Sequence, residues 1–316
     1  MNIKHKFSES FFKDEEATII ISTETKRLWA VELDLLAEFD RVCRAHGIKY
    51  SIDGGTMLGK VRHNGIIPWD DDIDVIITRK EYEKLRAVAE KDFTYPYFLQ
   101  TMQSDPTAAL SHPLLRNSST TAILKSELID GKVAFPNYNH GMFLDVFVLD
   151  AIPDDEAERK AFFSELVKLK TLIWRARAAQ YLKIQWGWNI RKILRVLLMV
   201  KEKLIFTLIG MKSRMCPLAY YQNEFEKACR RYENIDTKYV SHILFMPNPP
   251  ANRIVERAKI QETKDVEFMG LMVPMLKEWN YYLTLLYGNW RKHVIGATKH
   301  GDCIFDVDRP YTEYLN

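Results

Sequence analysis

Four aspartates occur within five consecutive residues, in the run Asp70-Asp71-Asp72-Ile73-Asp74, and an apolar stretch follows them directly. In a β-strand alternate side chains share one face, so Asp72 and Asp74 would project together while their apolar neighbours enter the core. Two carboxylates on one face raise each other's pKa unless a cation neutralises them. The run therefore predicts a strand that carries a site for Mg²⁺, an ion that prefers oxygen ligands.

A solvated acidic loop and a calcium site are the alternatives to this prediction. An EF-hand loop is excluded because Ile77 stands where that loop requires glycine.

A glycine turn precedes the acidic run. The alternating residues 48–52 predict a strand, which Asp53-Gly54-Gly55 ends. A short helix should follow, and the free N–H groups at its start are suited to holding a phosphate. The segment nearly matches a P-loop, but Val61 stands where a hydroxyl must bind Mg²⁺, which disfavours a P-loop NTPase.

The remaining pattern predicts an α+β fold. Helical spacing of apolar residues predicts a first helix over 26–46, and Thr78-Arg79-Lys80-Glu81 has the form of a capping box that opens a second. Further strands are expected at 97–101, 114–116, 121–124 and 142–149. Helices are expected through most of 156–235 and over 273–287, the latter ended by Gly288.

Charge is distributed unevenly along the 316 residues. The whole chain carries a formal charge of +3, whereas residues 166–215 contain twelve Lys or Arg against one acid, Glu202. The apolar positions of residues 191–208 form one face of a basic amphipathic helix. Two interpretations remain open: a helix on an anionic membrane surface, or a helical subdomain with a solvated basic rim. No zinc-finger or RNP signature accompanies the charge, so no nucleic-acid partner is expected.

Cysteine spacing and the first 25 residues bear on the compartment. The four cysteines show neither a CxxC pattern nor zinc-ligand spacing with histidines, so they are expected to be free thiols. The first 25 residues lack the apolar core of a signal peptide. We therefore expect a cytoplasmic protein, with possible peripheral contact at the inner face of the membrane.

Three sequence blocks together carry a resemblance to a known family. They are DGGTMLGKVRHNGIIPWDDDIDV (53–75), GMFLDVFVLDAIPDD (141–155) and LYGNWRKH (286–293), the last followed by Lys299-His300. The order of glycine turn, D-x-D strand and third acid resembles the nucleotidyltransferase fold of the DNA polymerase β type. The longer match is similar to the LicD family of phosphocholine transferases, which are relatives of fukutin. At the C-terminus Asn289 departs from the family pattern, which has an aspartate there.

The resemblance implies transfer of phosphocholine from CDP-choline to a hydroxyl of a glycan precursor of the teichoic acid or lipopolysaccharide type, with release of CMP. In-line transfer of this kind uses divalent cations, so Mg²⁺ or Mn²⁺ is expected, as two ions. Asp72 and Asp74 are predicted to bridge the ions, and Asp145 to be a third ligand or the base that accepts the hydroxyl proton. Asp70 and Asp71 are expected to shape the turn.

Other residues are predicted to bind the donor. Gly54, Gly55 and Thr56 would contact the diphosphate, and cations just beyond them would neutralise its oxygens, although each could equally be a surface cation. Aromatic faces would hold the quaternary ammonium, although each ring could equally pack the core. The cationic candidates are Lys60, Arg62, His63 and His300, and the aromatic ones are Trp69, Tyr281, Tyr282 and Trp290.

The predicted organisation has four parts. They are an N-terminal segment (1–25), a nucleotidyltransferase-like catalytic core with a mixed sheet (26–155), a basic helical insertion (156–235) and a C-terminal part that packs back on the core (236–316). The expected partners are CDP-choline, a lipid-linked glycan acceptor and an anionic membrane that contacts residues 166–215. The alternatives are the same fold transferring a nucleotidyl, ribitol-phosphate or glycerol-phosphate group, or a non-catalytic membrane or polyanion binder.

Overall fold

The computed structural model describes most of the chain. The described residues are 1–8, 11, 21–108, 110–129, 132–133, 137–181, 217–294 and 303–315, with eight helical residues between 197 and 209. The helices are α1 (Thr23–Ala45), α2 (Gly54–His63), α3 (Arg79–Asp92), α4 (Glu156–Tyr181), α5 (Pro217–Cys229) and α6 (Trp279–Tyr287). The strands are β1 (Tyr50–Ile52), β2 (Asp74–Thr78), β3 (Tyr97–Gln100), β4 (Leu114–Asn117), β5 (Thr121–Leu124), β6 (Leu128–Ile129), β7 (Lys132–Val133), β8 (Met142–Ile152), β9 (Tyr239–Ser241), β10 (Ile254–Glu256), β11 (Thr263–Phe268), β12 (Leu271–Leu276) and β13 (Cys303–Asp306).

A seven-stranded mixed sheet forms the centre of the fold. Its strands follow the order β1, β2, β8, β4, β3, and β9 joins the far end of β8 and pairs with β10. Only β2 and β8 run parallel, and their register places Asp74 directly beside Asp145. Opposed residues of neighbouring strands share a face, so the sheet itself brings two of the predicted acids together.

Helix α1 buries an apolar stripe against the sheet. Its N-cap Ser22 accepts a hydrogen bond from the Thr25 N–H at 3.1 Å, and Gly47 beyond its end adopts a φ of +60°. Leu33, Leu36 and Phe39 are fully buried. Apolar burial of this extent stabilises a helix by roughly 2 kcal/mol per large side chain.

The predicted α+β class with a mixed sheet is confirmed. The short helix after the glycine turn and the strands predicted at 97–101, 114–116, 121–124 and 142–149 are present within a few residues. Cys43, Cys229 and Cys303 are free, as expected. The polymerase β-type arrangement and the boundaries at residues 25, 155 and 235 stay predictions. Cys216, His300 and most of residues 182–216 lie outside the described residues.

Two local predictions are wrong. Residues 273–276 belong to β12, because Val273 pairs with Val266 of β11 across a Met269-Gly270 turn with positive φ angles, and α6 begins only at Trp279. Thr78 does precede α3, but its side chain forms no capping hydrogen bond. The Glu81 carboxylate accepts the Lys49 N–H at 3.0 Å instead, so the tertiary contact replaces the capping box.

Candidate active site

Three carboxylates gather at the edge where β2 and β8 lie side by side. Oxygen atoms of Asp72, Asp74 and Asp145 all lie within 4.8 Å of one another. Asp145 is 5% exposed, whereas Asp72 and Asp74 are half-buried. A second group of three, Asp70, Asp71 and Asp72, adjoins the first through their shared member. The structure thus unites the three acids that the sequence pattern predicted.

The ionised form of Asp74 is disfavoured in this cluster. Burial raises the pKa of Asp74 well above its ordinary value, and the charges of Asp72 and Asp145 raise it further. Among the described residues no lysine or arginine forms an ion pair with Asp74 or Asp145. A cluster of oxygen ligands with this spacing and excess negative charge matches what a hard divalent cation requires.

The glycine turn lies directly against the acidic cluster. A Cβ atom at Gly54, whose φ is +47°, would stand 2.9 Å from Asp74 Oδ2, and one at Gly55 would stand 2.7 Å from Asp70 Oδ2. The left-handed backbone at Gly54 therefore favours glycine, whereas a side chain at Gly55 would displace the Asp70 carboxylate. The Thr56 Oγ1 accepts a hydrogen bond from the Asp74 N–H at 2.9 Å, which fixes the start of α2 to the start of β2. The N-terminus of α2 thus adjoins the carboxylates.

The predicted donor-binding cations contact different parts of the fold. Lys60 Nζ lies 2.5 Å from Oδ1 of Asn64, which directly follows α2, and 3.7 Å from Glu267 of β11. Arg62 donates to the Trp290 carbonyl at 3.3 Å. The His63 ring stands edge-on to Trp69 with centroids 5.9 Å apart, and burial together with the charge of Arg62 lowers the pKa of His63.

Three of the four aromatic candidates lie in the C-terminal part, and the fourth, Trp69, lies beside the acidic run. Tyr282 is fully buried, and the Trp290 ring is covered by the Arg291 guanidinium at 4.1 Å. Lys259 Nζ lies 5.6 Å from the Tyr281 ring. Trp69 is half-buried and directly precedes the acidic run, so it is the candidate nearest to the cluster along the chain.

Comparison with known proteins identifies the domain that holds this cluster. Residues 47–108 match the family model described as LicD/FKTN/FKRP, nucleotidyltransferase domain, and this stretch contains the glycine turn, Asp72 and Asp74. The chain carries a LicD-family domain.

Individual relatives agree with this assignment. The chain is 24% identical over 269 residues to the lipopolysaccharide cholinephosphotransferase LicD of Haemophilus influenzae, a match that covers 82% of this chain and 88% of that protein. It is also 50% identical over 34 residues to the human ribitol 5-phosphate transferase FKRP, covering 11% of this chain and 7% of FKRP. The names of both relatives describe transfer of a phosphate-containing group.

The acidic cluster also contacts a histidine that the sequence pattern does not reveal. His112 Nε2 contacts Asp145 Oδ1, and its Nδ1 lies 3.0 Å from the Ser111 hydroxyl. The ring stacks on Phe147 with centroids 4.6 Å apart. His112 precedes β4, a neighbour of β8, and only this strand pairing brings it to the acids.

A fourth carboxylate reaches the cluster from α1. Glu32 is 2% exposed, and its Oε2 has no hydrogen-bond partner among the described residues. Burial raises its pKa well above the ordinary value, and the charges of Asp72 and Asp71 add to the effect. Glu32 stands among apolar residues of α1, and an acid at such a position is common in amphipathic helices. The sequence alone therefore does not identify Glu32 as part of the site.

His242 and Asp53 form a buried polar pair next to the glycine turn. His242 Nε2 stands 3.9 Å from Asp53 Oδ2, and both side chains are buried. Burial lowers the pKa of His242 to about 4 despite the opposing charge of Asp53. His242 is therefore neutral at pH 7.

Proposed function

We propose that this protein transfers phosphocholine from CDP-choline to a hydroxyl of a cell-surface glycan precursor and releases CMP. The observation that supports the proposal most is the convergence of Asp72, Asp74 and Asp145 on the N-terminus of α2. A helix N-terminus favours phosphate oxygens, and three carboxylates favour the cations that accompany a diphosphate. The relative with the longest match is named as a cholinephosphotransferase.

In the proposed reaction, an acceptor oxygen attacks the phosphorus that bears choline. A new P–O bond forms to the acceptor, and the bond from that phosphorus to the oxygen of CMP breaks. The acceptor hydroxyl loses its proton in the process. Asp145 and His112 form the pair of side chains suited to take that proton, because one is a carboxylate and the other an imidazole in direct contact with it.

The carboxylates would hold divalent cations, Mg²⁺ or Mn²⁺, as a pair of ions. Asp72, Asp74 and Asp145 fit such ions, since all offer oxygen atoms within 4.8 Å of one another, and burial together with the charges of Asp72 and Asp145 raises the pKa of Asp74. When bound, the ions supply positive charge opposite the attacking and leaving oxygens. Asp145 has two oxygens, so its contact to His112 through Oδ1 leaves Oδ2 for a cation.

The glycine turn is proposed to hold the donor diphosphate. Gly54 and Gly55 start α2 and have no side chain to cover the backbone N–H groups, and Thr56 fixes this turn to Asp74. Arg62 and His63 lie on the last turn of α2 and Trp69 lies on the loop after it, and the three are proposed to line the donor site. Lys60 is engaged with Asn64 and Glu267, which favours a structural role for it.

The test is release of CMP from CDP-choline by the purified protein with Mg²⁺ and a glycan acceptor. We expect turnover to disappear in Asp72→Asn, while circular dichroism shows an unchanged fold. An Asp306→Asn variant, altered at an acid of β13 outside the cluster, serves as the matched control. Full activity of Asp72→Asn would refute the proposal.

Transfer of ribitol phosphate is the second candidate. It is favoured by the 50% identity over 34 residues to ribitol 5-phosphate transferase FKRP. Competition between CDP-choline and CDP-ribitol distinguishes the two, because a site that recognises the quaternary ammonium should be insensitive to excess CDP-ribitol.

We further propose that residues 166–215 contact an anionic membrane at its cytoplasmic face. Leu197, Val200, Leu204 and Leu208 follow helical spacing, and each is between 45% and 60% exposed. Basic residues of the same segment would meet acidic headgroups. None of the helices in the described part of the chain has both the length and the apolar composition needed for a membrane crossing.

Vesicle sedimentation tests the contact. We expect binding to vesicles containing phosphatidylglycerol, weaker binding to pure phosphatidylcholine, and loss of binding in Leu204→Glu. Equal binding of Leu204→Glu would exclude the helix face from the contact.

A further inference from the structure

A groove of about 650 Å³ lies at the edge of the sheet where β3 begins and β4 ends. The turn before β3, the segment that leads into β8 and residues 311–315 line it. It does not include Asp72, Asp74 or Asp145. Its volume falls within the range of natural ligand sites, which is about 300 to 1,000 Å³.

Aromatic rings dominate the lining. Five of the twelve lining residues are aromatic, four tyrosines and one phenylalanine. The Tyr95 side chain is 72% exposed, while Phe98 and Tyr311 are half-buried. Rings exposed in this way offer flat apolar faces to a ligand and, in the tyrosines, a polar edge.

Hydrogen bonds within the protein hold the polar side chains of the groove in place. Asp105 is 9% exposed and accepts the Gln100 Nε2–H at 2.8 Å. Asn139 Nδ2 donates to the Ser118 hydroxyl at 2.7 Å, and Asn139 Oδ1 accepts the Gly141 N–H at 2.8 Å. A rigid set of hydroxyl, amide and carboxylate groups beside the rings supplies direction and therefore specificity.

Charge narrows the class of ligand. None of the twelve lining residues is Lys, Arg or His, and the only charged one is Asp105. A phosphate or a uronic acid would find no counter-charge there and would be repelled by the carboxylate. A sugar ring suits the groove, because it combines an apolar C–H face with hydroxyl groups on its rim.

We propose that this groove binds neutral sugar residues of the glycan acceptor, at a distance from the hydroxyl that is modified. Asn139 lies six residues before Asp145 on the path into β8, so the two Cα atoms are at most about 20 Å apart. A short oligosaccharide spans that distance. The identity of the sugar chain as the acceptor rests on the proposed function, whereas sugar binding by the groove does not.

Binding without donor or metal tests the groove first. The purified protein would be applied to an array of oligosaccharides of hexose, heptose and N-acetylhexosamine, together with acidic and phosphorylated counterparts. We expect neutral glycans to bind best, with affinity reduced about tenfold or more in Tyr95→Ala and Tyr311→Ala. Tyr95→Phe keeps the ring and should bind normally, as should Tyr220→Ala, which alters a half-buried tyrosine of α5 outside the groove.

Acceptor kinetics then separate this inference from the proposed function. Tyr95→Ala should raise the KM for an oligosaccharide acceptor about tenfold. The kcat, the KM for CDP-choline and the turnover of a monosaccharide acceptor should not change. One outcome is a wild type that binds neutral glycans through the two tyrosines and yet shows no transferase activity. That result would support the groove and refute the proposed function.

Three results would overturn the inference. They are the absence of any glycan bound on the array, a preference for acidic glycans, and equal binding by the wild type and both alanine variants when all three unfold at the same temperature.

Discussion

The two ends of the β2–β8 strand pair differ in whether a basic side chain neutralises their carboxylates. At one end Asp74 and Asp145 lie side by side, and no lysine or arginine in the described ranges pairs with either. At the other end Asp150, also on β8, receives Arg79 Nε at 2.7 Å and Nη2 at 2.9 Å. Glu226 adds a second acid 3.3 Å from the same guanidinium.

The difference favours a structural role for the Arg79 end and a ligand-binding role for the acidic end. Two parallel hydrogen bonds from one guanidinium satisfy Asp150 within the fold, so that end needs nothing from solution. At the acidic end burial raises the pKa of Asp74, and the charges of Asp72 and Asp145 raise it further. We infer that the acidic end binds a divalent cation together with a phosphate group.

The largest expected effect comes from Asp74→Asn at the acidic end. Turnover of CDP-choline should fall about a thousandfold, because a ligand for the cation is lost. The folded protein without divalent cations should be at least as stable as the wild type. Because the pKa of Asp74 is higher in the folded protein than its ordinary value of 3.8, ionisation of Asp74 lowers the free energy of unfolding. This loss is complete above the folded-state pKa, decreases as the pH falls, and is absent below pH 3.8.

Measurement of CMP release and of the unfolding temperature without divalent ions checks both parts. Addition of Mg²⁺ should raise the unfolding temperature of the wild type and leave Asp74→Asn unchanged. A large loss of stability in Asp74→Asn would mean that the acidic end is structural after all.

At the opposite end, Arg79→Met should cost about 3 to 5 kcal/mol of unfolding free energy, because it leaves Asp150 buried without its counter-charge, whereas Glu226 keeps its ion pair with Arg86 at 2.8 Å. Urea unfolding measures the loss. The double variant Arg79→Met/Asp150→Leu is the matched control and should recover much of it. Equal losses in the single and double variants would show that the buried charge is not the cause.

A smaller effect is expected from His112→Asn, which should lower kcat about ten- to hundredfold with little change in the KM for CDP-choline. His112 contacts Asp145 directly, so its removal frees the orientation of that carboxylate. The control is His46→Asn, which alters a half-exposed histidine that pairs with Asp92 at 3.1 Å far from the site. An equal loss in both variants would contradict a specific role for His112.

The smallest effect concerns the pH dependence of stability behind the glycine turn. Because the pKa of His242 falls from 6.5 to about 4 on folding, its neutral form favours the native state fully above pH 6.5 and less as the pH falls toward 4. His242→Gln should remove this dependence, which amounts to about 2 kcal/mol at pH 5. Unfolding curves of the two proteins between pH 4.5 and 8 measure it. Parallel curves would refute the assignment.

Spacing in the sequence predicted the acids and the glycine turn because both depend on local rules. Alternation along one strand places Asp72 and Asp74 on one face, and a Gly-Gly pair after an apolar run ends a strand. The same rules failed for residues 273–276, where pairing with β11 overrides helical spacing. They also assigned Lys60 to the donor, although it contacts Asn64 and Glu267 of its own surroundings.

The sequence by itself determined the chemistry of this protein: which acids it contains, that a glycine turn precedes them, and that one segment is strongly basic. Only the tertiary structure decided that Glu32 and His112 join the acids, and that Arg79 rather than an external cation neutralises Asp150. Side chains that meet across strands or between a helix and a sheet are separated by many residues in the chain. Their contact depends on how the elements pack, and no local pattern records it.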